Sequence, residues 1–300
     1  MSRRAGSGIT GGMTSLAALG FGYCVRQLVA DDVAGFSPII GTARSPERLA
    51  ALPRAVTPFV FDGERLSDAL ADALSGVDLL IASAPPDARG DPILRCAEPV
   101  LQAGRLRQVI YLTTLGVYGD HGGGWVDETT PPRAGSPRLE RRLAAEQAWL
   151  AFGQKRGIPV AVLRLAGIYG PGRNALEQLR AGEARRIDKP GQVFNRIHVA
   201  DIARTIRAVV AQRFGGIVNV TDDLPAPPGD PIAYAAGLLG LPVPPAIPFE
   251  AAAREMSPMA LTFWAANKRV ANHRLKADLG VSLAYPTYRE GLAALHAAGA

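Results

Sequence analysis

Seven short runs rich in Val, Ile, Leu and Ala punctuate the chain, and longer stretches with helical periodicity separate most of them. Strands buried on both faces have continuous apolar sequences, and their alternation with helices is typical of a parallel sheet covered on both sides. The pattern therefore predicts a doubly wound α/β fold. The predicted strands span residues 15–20, 37–43, 56–62, 77–84, 108–114, 159–166 and 216–222. The predicted helices span residues 23–31, 46–53, 66–75, 90–104 and 137–156.

The hydrophobic pattern loses its regularity in the last quarter of the chain. Proline-rich stretches at 223–231 and 241–250 interrupt regular structure there, because proline fixes the backbone and lacks an N–H donor. We therefore predict a larger domain over residues 13–165 and a smaller lobe over residues 166–300. Within the second unit, residues from about 195–222 are expected to return to the main sheet, since they contain the last predicted strand.

The first predicted strand-to-helix turn carries two glycines, Gly20 and Gly22, and the predicted helix begins at Tyr23. Glycines at these positions let the chain turn tightly and let backbone N–H groups approach a pyrophosphate at the helix N-terminus. Val25 stands where the third glycine of this fingerprint is usual. A plain strand-turn-helix would also explain the pattern. Its position at the first turn of a parallel sheet favours a dinucleotide-binding Rossmann domain.

The residues after the second predicted strand distinguish between the two nicotinamide cofactors. NAD sites usually place an acidic residue here for the ribose 2′-hydroxyl, whereas NADP sites place a basic residue for the 2′-phosphate. The sequence has Arg44, flanked by Thr42 and Ser45, and no acid before Glu47. It therefore predicts NADP rather than NAD. The alternative is that Arg44 is a surface arginine at the start of a helix.

Two further strand ends supply candidate cofactor contacts. Asp62 follows the third predicted strand, where its carboxylate is expected to accept a hydrogen bond from the adenine amino group. Ser83 and Ala84 follow the fourth predicted strand, and their small side chains are expected to lie beneath the cofactor. All three belong to the carboxyl edge of the predicted sheet, where open α/β folds bind ligands.

Three later segments carry a resemblance to a known family. Residues 109–132 contain a Thr-Thr pair followed by Val-Tyr-Gly, residues 162–173 contain Arg-Leu-Ala-Gly-Ile-Tyr-Gly-Pro, and residues 194–203 contain His-Val-Ala-Asp-Ile-Ala. In this order the segments resemble the extended short-chain dehydrogenase/reductase family, which includes sugar-nucleotide epimerases and dehydratases. The resemblance covers nearly the whole chain. It implies a Rossmann fold, a nicotinamide cofactor and a smaller carboxyl-terminal lobe that binds the substrate.

By this resemblance, the hydroxyl of Thr114 hydrogen-bonds the reacting carbonyl or alkoxide oxygen. The family's Tyr-x-x-x-Lys pair on the next helix aligns with Arg138 and Arg142 when the following Leu-Ala-Ala-Glu stretch is matched. Arg142 is expected to bind the ribose hydroxyls of the cofactor. Arg138 is not a general acid, since a guanidinium keeps its proton at any working pH, so the chain resembles atypical members that lack the catalytic tyrosine. A solvated helix face is the alternative explanation of these arginines.

Two other side chains are candidates for the missing proton donor. Tyr118 and His121 lie on the loop that the resemblance places beside the nicotinamide, within reach of a substrate oxygen. The alternatives are a packed tyrosine and a solvent-facing loop histidine. Leu115 and Gly116 stand where the family's dehydratases have an Asp-Glu pair, so a sugar-nucleotide dehydratase is disfavoured.

The predicted partner is a small-molecule substrate, and an anionic one fits the candidate contacts. In the geometry that the resemblance implies, Arg173, Arg196 and His198 converge on the cleft between the lobes, and Arg138 faces the same cleft. His198 has an alternative role, bonding the backbone at a strand-to-helix junction. Sugar-nucleotide enzymes of the family commonly have an asparagine where this chain has Ala166-Gly167, which weakens a nucleotide-sugar substrate.

Composition narrows the remaining classes of function. The net charge is +6, but the arginines are scattered and aromatic residues make up only 6%, so we predict no nucleic-acid partner. The two cysteines, Cys24 and Cys96, show no disulfide or metal-ligand spacing and fit a reducing compartment. The first 23 residues lack the apolar run of a signal peptide or membrane span. We therefore expect a cytoplasmic protein with no membrane partner and no metal.

Two hypotheses from different classes follow. The first is an atypical NADP(H)-dependent oxidoreductase, or an epimerase that oxidises its substrate transiently, in which Thr114 polarises the reacting oxygen. The second is a non-catalytic NAD(P)-binding protein that acts as a redox sensor or assembly factor. Nucleic-acid binding through the arginines is a third, weaker hypothesis, which a steep salt dependence of DNA affinity would reveal. The resemblance also implies a homodimer that pairs the helices at 90–104 and 137–156.

Overall fold

The computed structural model describes residues 13–299. Most of the amino-terminal stretch that argued against a signal peptide, residues 1–12, lies outside the described residues, as does residue 300. The strands are β1 (Thr14–Leu19), β2 (Phe36–Ala43), β3 (Val56–Val60), β4 (Leu79–Ala82), β5 (Gln108–Thr114), β6 (Trp125–Val126), β7 (Val160–Leu165), β8 (Gly167–Tyr169), β9 (Ile187–Asp188), β10 (Arg196–His198), β11 (Gly216–Val220), β12 (Ile247–Pro248) and β13 (Arg269–Val270).

The α-helices are α1 (Tyr23–Asp31), α2 (Pro46–Leu49), α3 (Asp68–Ser75), α4 (Pro92–Ala103), α5 (Pro137–Arg156), α6 (Ala175–Arg180), α7 (Val199–Gln212), α8 (Asp230–Leu238), α9 (Phe249–Ala253), α10 (Pro258–Trp264), α11 (His273–Ala277) and α12 (Tyr288–Ala297). Two short 3-10 helices cover Val33–Gly35 and Leu115–Tyr118. None of the helices within residues 13–299 combines the length and hydropathy that spanning a bilayer requires.

A seven-stranded sheet forms the centre of the molecule, with the order β11-β7-β5-β4-β1-β2-β3 and all neighbours parallel. This is the doubly wound Rossmann fold that the hydrophobic pattern predicts. The strand order reverses between β1 and β4. The chain first adds β2 and β3 on one side of β1, and then crosses over to add β4 and the later strands on the other side. The carboxyl ends of these two strands therefore open the crevice in which such sheets bind ligands.

Alternate residues along the strands feed two separate hydrophobic cores, one on each face of the sheet. On one face, Leu16 and Ala18 of β1 pack with α1, α7 and α11. On the other face, Ala17 and Leu19 pack with α3, α4 and α5, whose Trp149 is fully buried. Because each strand is apolar on both sides, its sequence reads as a continuous apolar run, which is why the sequence pattern located all seven strands.

A smaller core lies beyond the sheet, where α6, α8 and α12 pack around Tyr169, Leu176 and Ile232. Two parallel strand pairs, β8 with β10 and β9 with β12, connect this part to the sheet. β11 belongs to the main sheet beside β7, although it follows β8 to β10 in the sequence. The chain thus crosses between the two parts more than once, and their facing surfaces enclose the cavities described below.

The predicted elements differ from the observed ones mainly at their ends. The first, second and fifth predicted helices, 23–31, 46–53 and 137–156, correspond to α1, a shorter α2 and α5. α2 ends at Leu49 because the chain enters a turn toward Pro53, which lacks an N–H group for a helix. Cys24 and Cys96 are both free thiols.

Candidate functional site

A cleft of about 890 Å³ lies across the carboxyl ends of β1 to β4. Gly20, Gly22, Ser83, Ala84 and Asp62 all line it, so the structure brings these sequence-predicted contacts together. Asp62 is exposed. One of its carboxylate oxygens accepts a hydrogen bond from the backbone N–H of Glu64, which leaves the second carboxylate oxygen facing solvent. The cleft therefore connects the carboxyl ends of four strands.

The turn after β1 has no room for a side chain. Gly20 has φ +94°, and a Cβ there would lie 2.6 Å from the Ser83 hydroxyl oxygen. The Gly20 N–H donates to the Thr42 hydroxyl at 2.9 Å, and the Ser83 hydroxyl donates to the Gly20 carbonyl at 2.5 Å. Strands β2 and β4 therefore both hold this turn in place, and glycine is required for its backbone conformation.

The first turn of α1 faces the cleft without a capping side chain. Gly22 is its N-cap residue and makes no side-chain bond, and the first turn contains no acidic residue. Free N–H groups and the positive end of the helix dipole are what a pyrophosphate requires, so these residues fit a dinucleotide. Tyr23 closes the neighbouring space, and its hydroxyl donates to the Pro171 carbonyl at 2.8 Å.

Val25 replaces the third glycine without disturbing the fold. Its side chain is 1% exposed and belongs to the core shared by α1 and α7. Glycine is common at this position because it lets the helix approach the sheet closely. Here α1 accommodates the branched side chain of Val25. The apolar contacts of that side chain replace the close approach of helix and sheet that a glycine would allow.

Three arginines surround the cleft where β2 ends. Arg44 lines it as the sequence predicts, and Arg26 of α1 and Arg48 of α2 line the same end. Within residues 13–299 none of the three has a carboxylate within 4.0 Å of its guanidinium nitrogens. Sequence reasoning missed Arg26 and Arg48, because only the fold brings α1 and α2 to one cavity rim.

Thr114 lies at the junction of two smaller cavities at the end of β5. One, of about 280 Å³, extends from Gly22 and Tyr23 to Arg142. The other, of about 500 Å³, extends into the smaller lobe. The Thr114 hydroxyl oxygen accepts a bond from the Gly116 N–H at 3.1 Å, which orients the side chain and leaves its own O–H free to donate.

The arginines of α5 divide between the cleft and solvent. Ser136 caps α5 by accepting from the Leu139 N–H, so Arg138 lies in the first turn of the helix. Arg138 lines both cavities that meet at Thr114, Arg142 lines the smaller one, and Arg141 is exposed. Arg142 reaches the Leu112 carbonyl at 3.5 Å. Burial, with the nearby Arg142 charge, lowers the pKa of Arg138.

The two proposed substitute proton donors do not face the cavities. Tyr118 is 0% exposed, its hydroxyl donates to the Asn219 side-chain oxygen at 2.9 Å, and the Arg164 guanidinium stacks on its ring. This burial raises its pKa. The prediction of Tyr118 as a catalytic residue is therefore wrong, because its hydroxyl points away from the cleft into the core. His121 bonds the Tyr118 carbonyl at 3.1 Å and lines none of these cavities.

The 500 Å³ cavity has apolar walls from both parts of the chain, including Leu139, Ile168 and Phe263. It also contains Lys268, which sequence reasoning missed. Lys268 is 8% exposed, its ammonium donates to the Gly119 carbonyl at 3.0 Å, and burial lowers its pKa to about 8. Its short local sequence carries no signal of a site, since β13 and the loop beside it acquire their place only through tertiary pairing with β6.

Two of the predicted substrate contacts reach the cavities in addition to Arg138. Arg173 lines both spaces that meet at Thr114. Arg196 lines the larger one, but its guanidinium also donates to the carbonyls of Phe194, Ala226 and Pro227 at 3.1 to 3.4 Å. It is therefore held as a fixed positive charge in the cavity wall.

His198 does not contact either cavity, so its prediction as a substrate-binding residue is wrong. It is 4% exposed, it caps α7 by accepting from the Ala200 N–H at 3.2 Å, and its ring packs between Tyr169 and Tyr285. Burial lowers its pKa to about 4. The alternative that the sequence left open, a histidine bonding backbone at a strand-to-helix junction, describes its role.

Comparison with known proteins gives the family. A profile of the NAD dependent epimerase/dehydratase family matches residues 93–221. The solved structure of a functionally unknown conserved protein from Silicibacter pomeroyi is 45% identical, over 95% of this chain and 99% of that one, with a TM-score of 0.84. Residues 93–221 form a domain of the NAD dependent epimerase/dehydratase family. The family resemblance seen in the sequence is confirmed.

Two further proteins are similar to this chain over shorter stretches or at lower identity. The 3-diazoavenalumate denitrifying reductase of a Streptomyces species is 29% identical over 178 residues, which are 56% of this chain and 58% of the reductase. The match thus spans less than two thirds of that relative's length. The structure of human epimerase family protein SDR39U1 with NADPH has a TM-score of 0.69 over 93% of this chain and 98% of that one. At 16% identity it shows the shared fold alone.

Proposed function

We propose that this family member is an NADP(H)-dependent oxidoreductase that moves a hydride between the nicotinamide and a carbonyl or alcohol carbon. The observation that carries the proposal is the position of Thr114, at the junction of the 280 Å³ cavity beside α1 and the 500 Å³ apolar cavity. A reacting oxygen bound there lies within reach of a free hydroxyl donor. An epimerase that oxidises its substrate transiently is a variant of the same chemistry.

The chain's own residues divide the remaining tasks. A bound nicotinamide supplies hydride transfer. Thr114 donates a hydrogen bond to the reacting oxygen, and the Gly116 N–H keeps the hydroxyl in the required orientation. Arg142 offers donors to the ribose hydroxyls at the end of the smaller cavity. Fixed donors aimed at a developing oxyanion are among the largest contributions to catalysis.

Arg138 replaces the acid of the usual mechanism with an electrostatic role. Its guanidinium faces the junction at Thr114 and keeps its proton, so it stabilises negative charge on the oxygen without transferring a proton. The oxygen then gains its proton from water in the cleft. This division predicts a slow enzyme, because a positioned general acid typically contributes about 10²–10⁴-fold to the rate.

NADP is the proposed cofactor because Arg26, Arg44 and Arg48 surround one end of the cleft. A 2′-phosphate carries negative charge that NAD lacks at this position. Guanidinium groups bind phosphate through charge-assisted hydrogen bonds, which are shorter and stronger than neutral ones. Glu47 is exposed on the same rim. The 2′-hydroxyl of NAD would therefore have one acidic partner at this rim, whereas the 2′-phosphate of NADP would have three cationic partners.

A fluorescence titration with NADPH and NADH tests this preference. Hydrogen bonds to charged groups contribute about 1.5–3 kcal/mol, so Arg44→Ala is expected to weaken NADPH binding by about 10- to 150-fold. Its NADH affinity is expected to stay within about twofold of the parent, since the 2′-phosphate is absent. Arg54→Ala is the matched control, because Arg54 is exposed and does not line the cleft. Equal loss of both cofactors in Arg44→Ala would contradict the NADP proposal.

A non-catalytic NAD(P)-binding protein, acting as a redox sensor or assembly factor, is the second candidate. The observation that favours it is that, within residues 13–299, no residue lining both cavities carries a side chain that could act as a general acid; Arg138 stands at their junction and Tyr118 is buried. NADPH oxidation across a carbonyl panel separates the two proposals. Turnover that Thr114→Ala abolishes supports the oxidoreductase, whereas tight NADPH binding without turnover of any compound supports the binding protein.

We also propose a homodimer that pairs α4 and α5. These helices share an exposed surface hollow lined by Arg95, Glu98, Ala148 and Lys155. Light scattering at micromolar concentration is expected to give twice the 31.6 kDa mass of one chain. A single-chain mass would refute the pairing, and the cytoplasmic location stays a separate prediction.

A further inference from the structure

The cavity beyond Thr114 combines apolar walls with an excess of positive charge. Among residues 13–299, four cationic side chains line it, and no aspartate or glutamate does. The four are Arg138, Arg173, Arg196 and Lys268. Apolar side chains line much of the remaining wall, among them Leu139 of α5, Ile168 of β8 and Phe263 of α10. A neutral substrate would leave this charge without a counterion.

A bound cofactor would not neutralise all four cations. Arg138 and Arg173 also line the smaller cavity beside α1, where cofactor phosphates and ribose come close. Lys268 and Arg196 line neither that cavity nor the large cleft of β1 to β4. The charge of Lys268 therefore belongs to the substrate cavity, whereas Arg196 also lines a neighbouring cavity of about 250 Å³ in the smaller lobe.

Lys268 is the most buried of the four cations. Its ammonium donates to one carbonyl, that of Gly119, and no carboxylate of residues 13–299 lies within ion-pair distance of it. An ammonium has three donors, and burying a charge without a paired anion is costly. Asn195 fixes the backbone around it, accepting from the Val270 N–H and donating to the Lys268 carbonyl. The lysine is held in position for a ligand anion.

The apolar walls define the rest of the ligand. Leu139, Ile168 and Phe263 present hydrocarbon surface, and the amide of Asn195 is already used by the backbone. The polar groups of a sugar or a nucleotide would lose hydrogen bonds to water here without replacement. A flat hydrocarbon body would instead gain by leaving water, at about 25 cal/mol per Å² buried.

We propose that the substrate cavity binds an apolar, aromatic-sized carboxylate, with its anionic group at the Lys268 ammonium and its hydrocarbon body against Leu139, Ile168 and Phe263. That this ligand is the substrate rests on the proposed oxidoreductase function, whereas its binding does not. Arg138, at the cavity's other cationic margin, binds the ligand's second polar end beside Thr114.

The test is a calorimetric titration of the full chain with 2-naphthoate and with its neutral amide, 2-naphthamide, with and without saturating NADPH. Charge-assisted bonds predict that naphthoate binds at least about tenfold more tightly than naphthamide. Lys268→Met is expected to weaken naphthoate binding by at least about tenfold while leaving naphthamide binding unchanged. Arg138→Met is expected to leave naphthoate binding unchanged, because naphthoate has no second polar group for Arg138 to bind.

Two control variants match these substitutions. Arg141→Met removes an exposed arginine from the same helix as Arg138, and Lys155→Met removes an exposed lysine at the far end of that helix. Neither residue lines the cavity, so neither change is expected to alter naphthoate binding.

Equal affinities for naphthoate and naphthamide, or unchanged naphthoate binding in Lys268→Met, would overturn the proposal. Displacement of naphthoate by NADPH would also overturn it, by placing the anion in the cofactor cleft. Failure of the proposed function is a different result, because a chain that binds naphthoate as expected but binds no NADPH keeps the carboxylate site and loses only its role in turnover.

Discussion

The ion pair between Glu146 and Arg164 is expected to hold α5, and with it Arg138 and Arg142, against the sheet. Glu146 is 0% and Arg164 2% exposed, and two guanidinium nitrogens of Arg164 donate to one Glu146 oxygen at 2.7 and 3.1 Å. The Arg164 guanidinium also stacks on Tyr118 at 4.8 Å from the ring centroid. Glu146 is one turn of helix beyond Arg142, so its loss changes the position of the site.

Removing one partner leaves the other as an uncompensated buried charge. Glu146→Ala is therefore expected to lower the free energy of unfolding by about 3–5 kcal/mol. Burial raises the pKa of Glu146 while the bonds from Arg164 oppose that rise, which marks the buried carboxylate as costly by itself. The double replacement Glu146→Leu with Arg164→Met removes both charges and is expected to cost less than either single change.

Urea denaturation of the parent, Glu146→Leu, Arg164→Met and the double variant measures these differences in one cycle, and Glu146→Ala is measured alongside them. Cofactor titration of the same proteins at 10 °C, where the variants remain folded, then shows whether α5 has moved. A loss below about 1 kcal/mol in Glu146→Ala, the size of an exposed pair, would refute the reasoning. So would a double variant whose loss equals the sum of the single losses.

Three further predictions concern separate parts of the site. Gly20→Ala is expected to cost about 1–3 kcal/mol in thermal unfolding and to abolish NADPH binding, because φ is +94° and the new Cβ would lie 2.6 Å from the Ser83 hydroxyl; a parent-like melting curve would contradict this. Burial lowers the pKa of His198 to about 4, so the unfolded state binds a proton at a higher pH than the folded state does. The free energy of unfolding should therefore fall between about pH 6.5 and 4 in the parent, and fall less in His198→Asn. Burial lowers the pKa of Lys268 to about 8, and the nearby Asp120 charge opposes this lowering. Naphthoate affinity should therefore be constant below about pH 7 and fall above about pH 8, as Lys268 loses its proton. An affinity that stays constant to about pH 9.5 would exclude Lys268 as the anion's partner.

The central sheet was predictable because its strands are buried on both faces. A continuous apolar sequence such as that of β4 or β5 has few alternatives when helices flank it on both sides. The glycine turn was predictable for a similar local reason, since Gly20 adopts a backbone conformation that other residues rarely take. Thr114, Arg138 and Arg142 were located through the order of the family's motifs.

The errors share one physical cause, which is that side-chain direction depends on tertiary packing. Tyr118 lies only four residues after Thr114, yet the 3-10 helix at Leu115–Tyr118 turns its ring into the core toward Asn219. His198 lies at the end of a strand as expected, but its ring closes the N-terminus of α7. Lys268 was missed because a lysine beside a two-residue strand carries no local pattern that indicates burial.

The most direct test of the account is a crystal structure of the chain with NADPH bound. The account predicts the adenosine 2′-phosphate within ion-pair distance of Arg44 and of at least one of Arg26 and Arg48. It predicts the pyrophosphate at the N-terminus of α1, and the nicotinamide ring in the cavity bounded by Thr114 and Arg142. Density for the dinucleotide outside this cleft, or a nicotinamide ring turned away from Thr114, would contradict the proposed oxidoreductase.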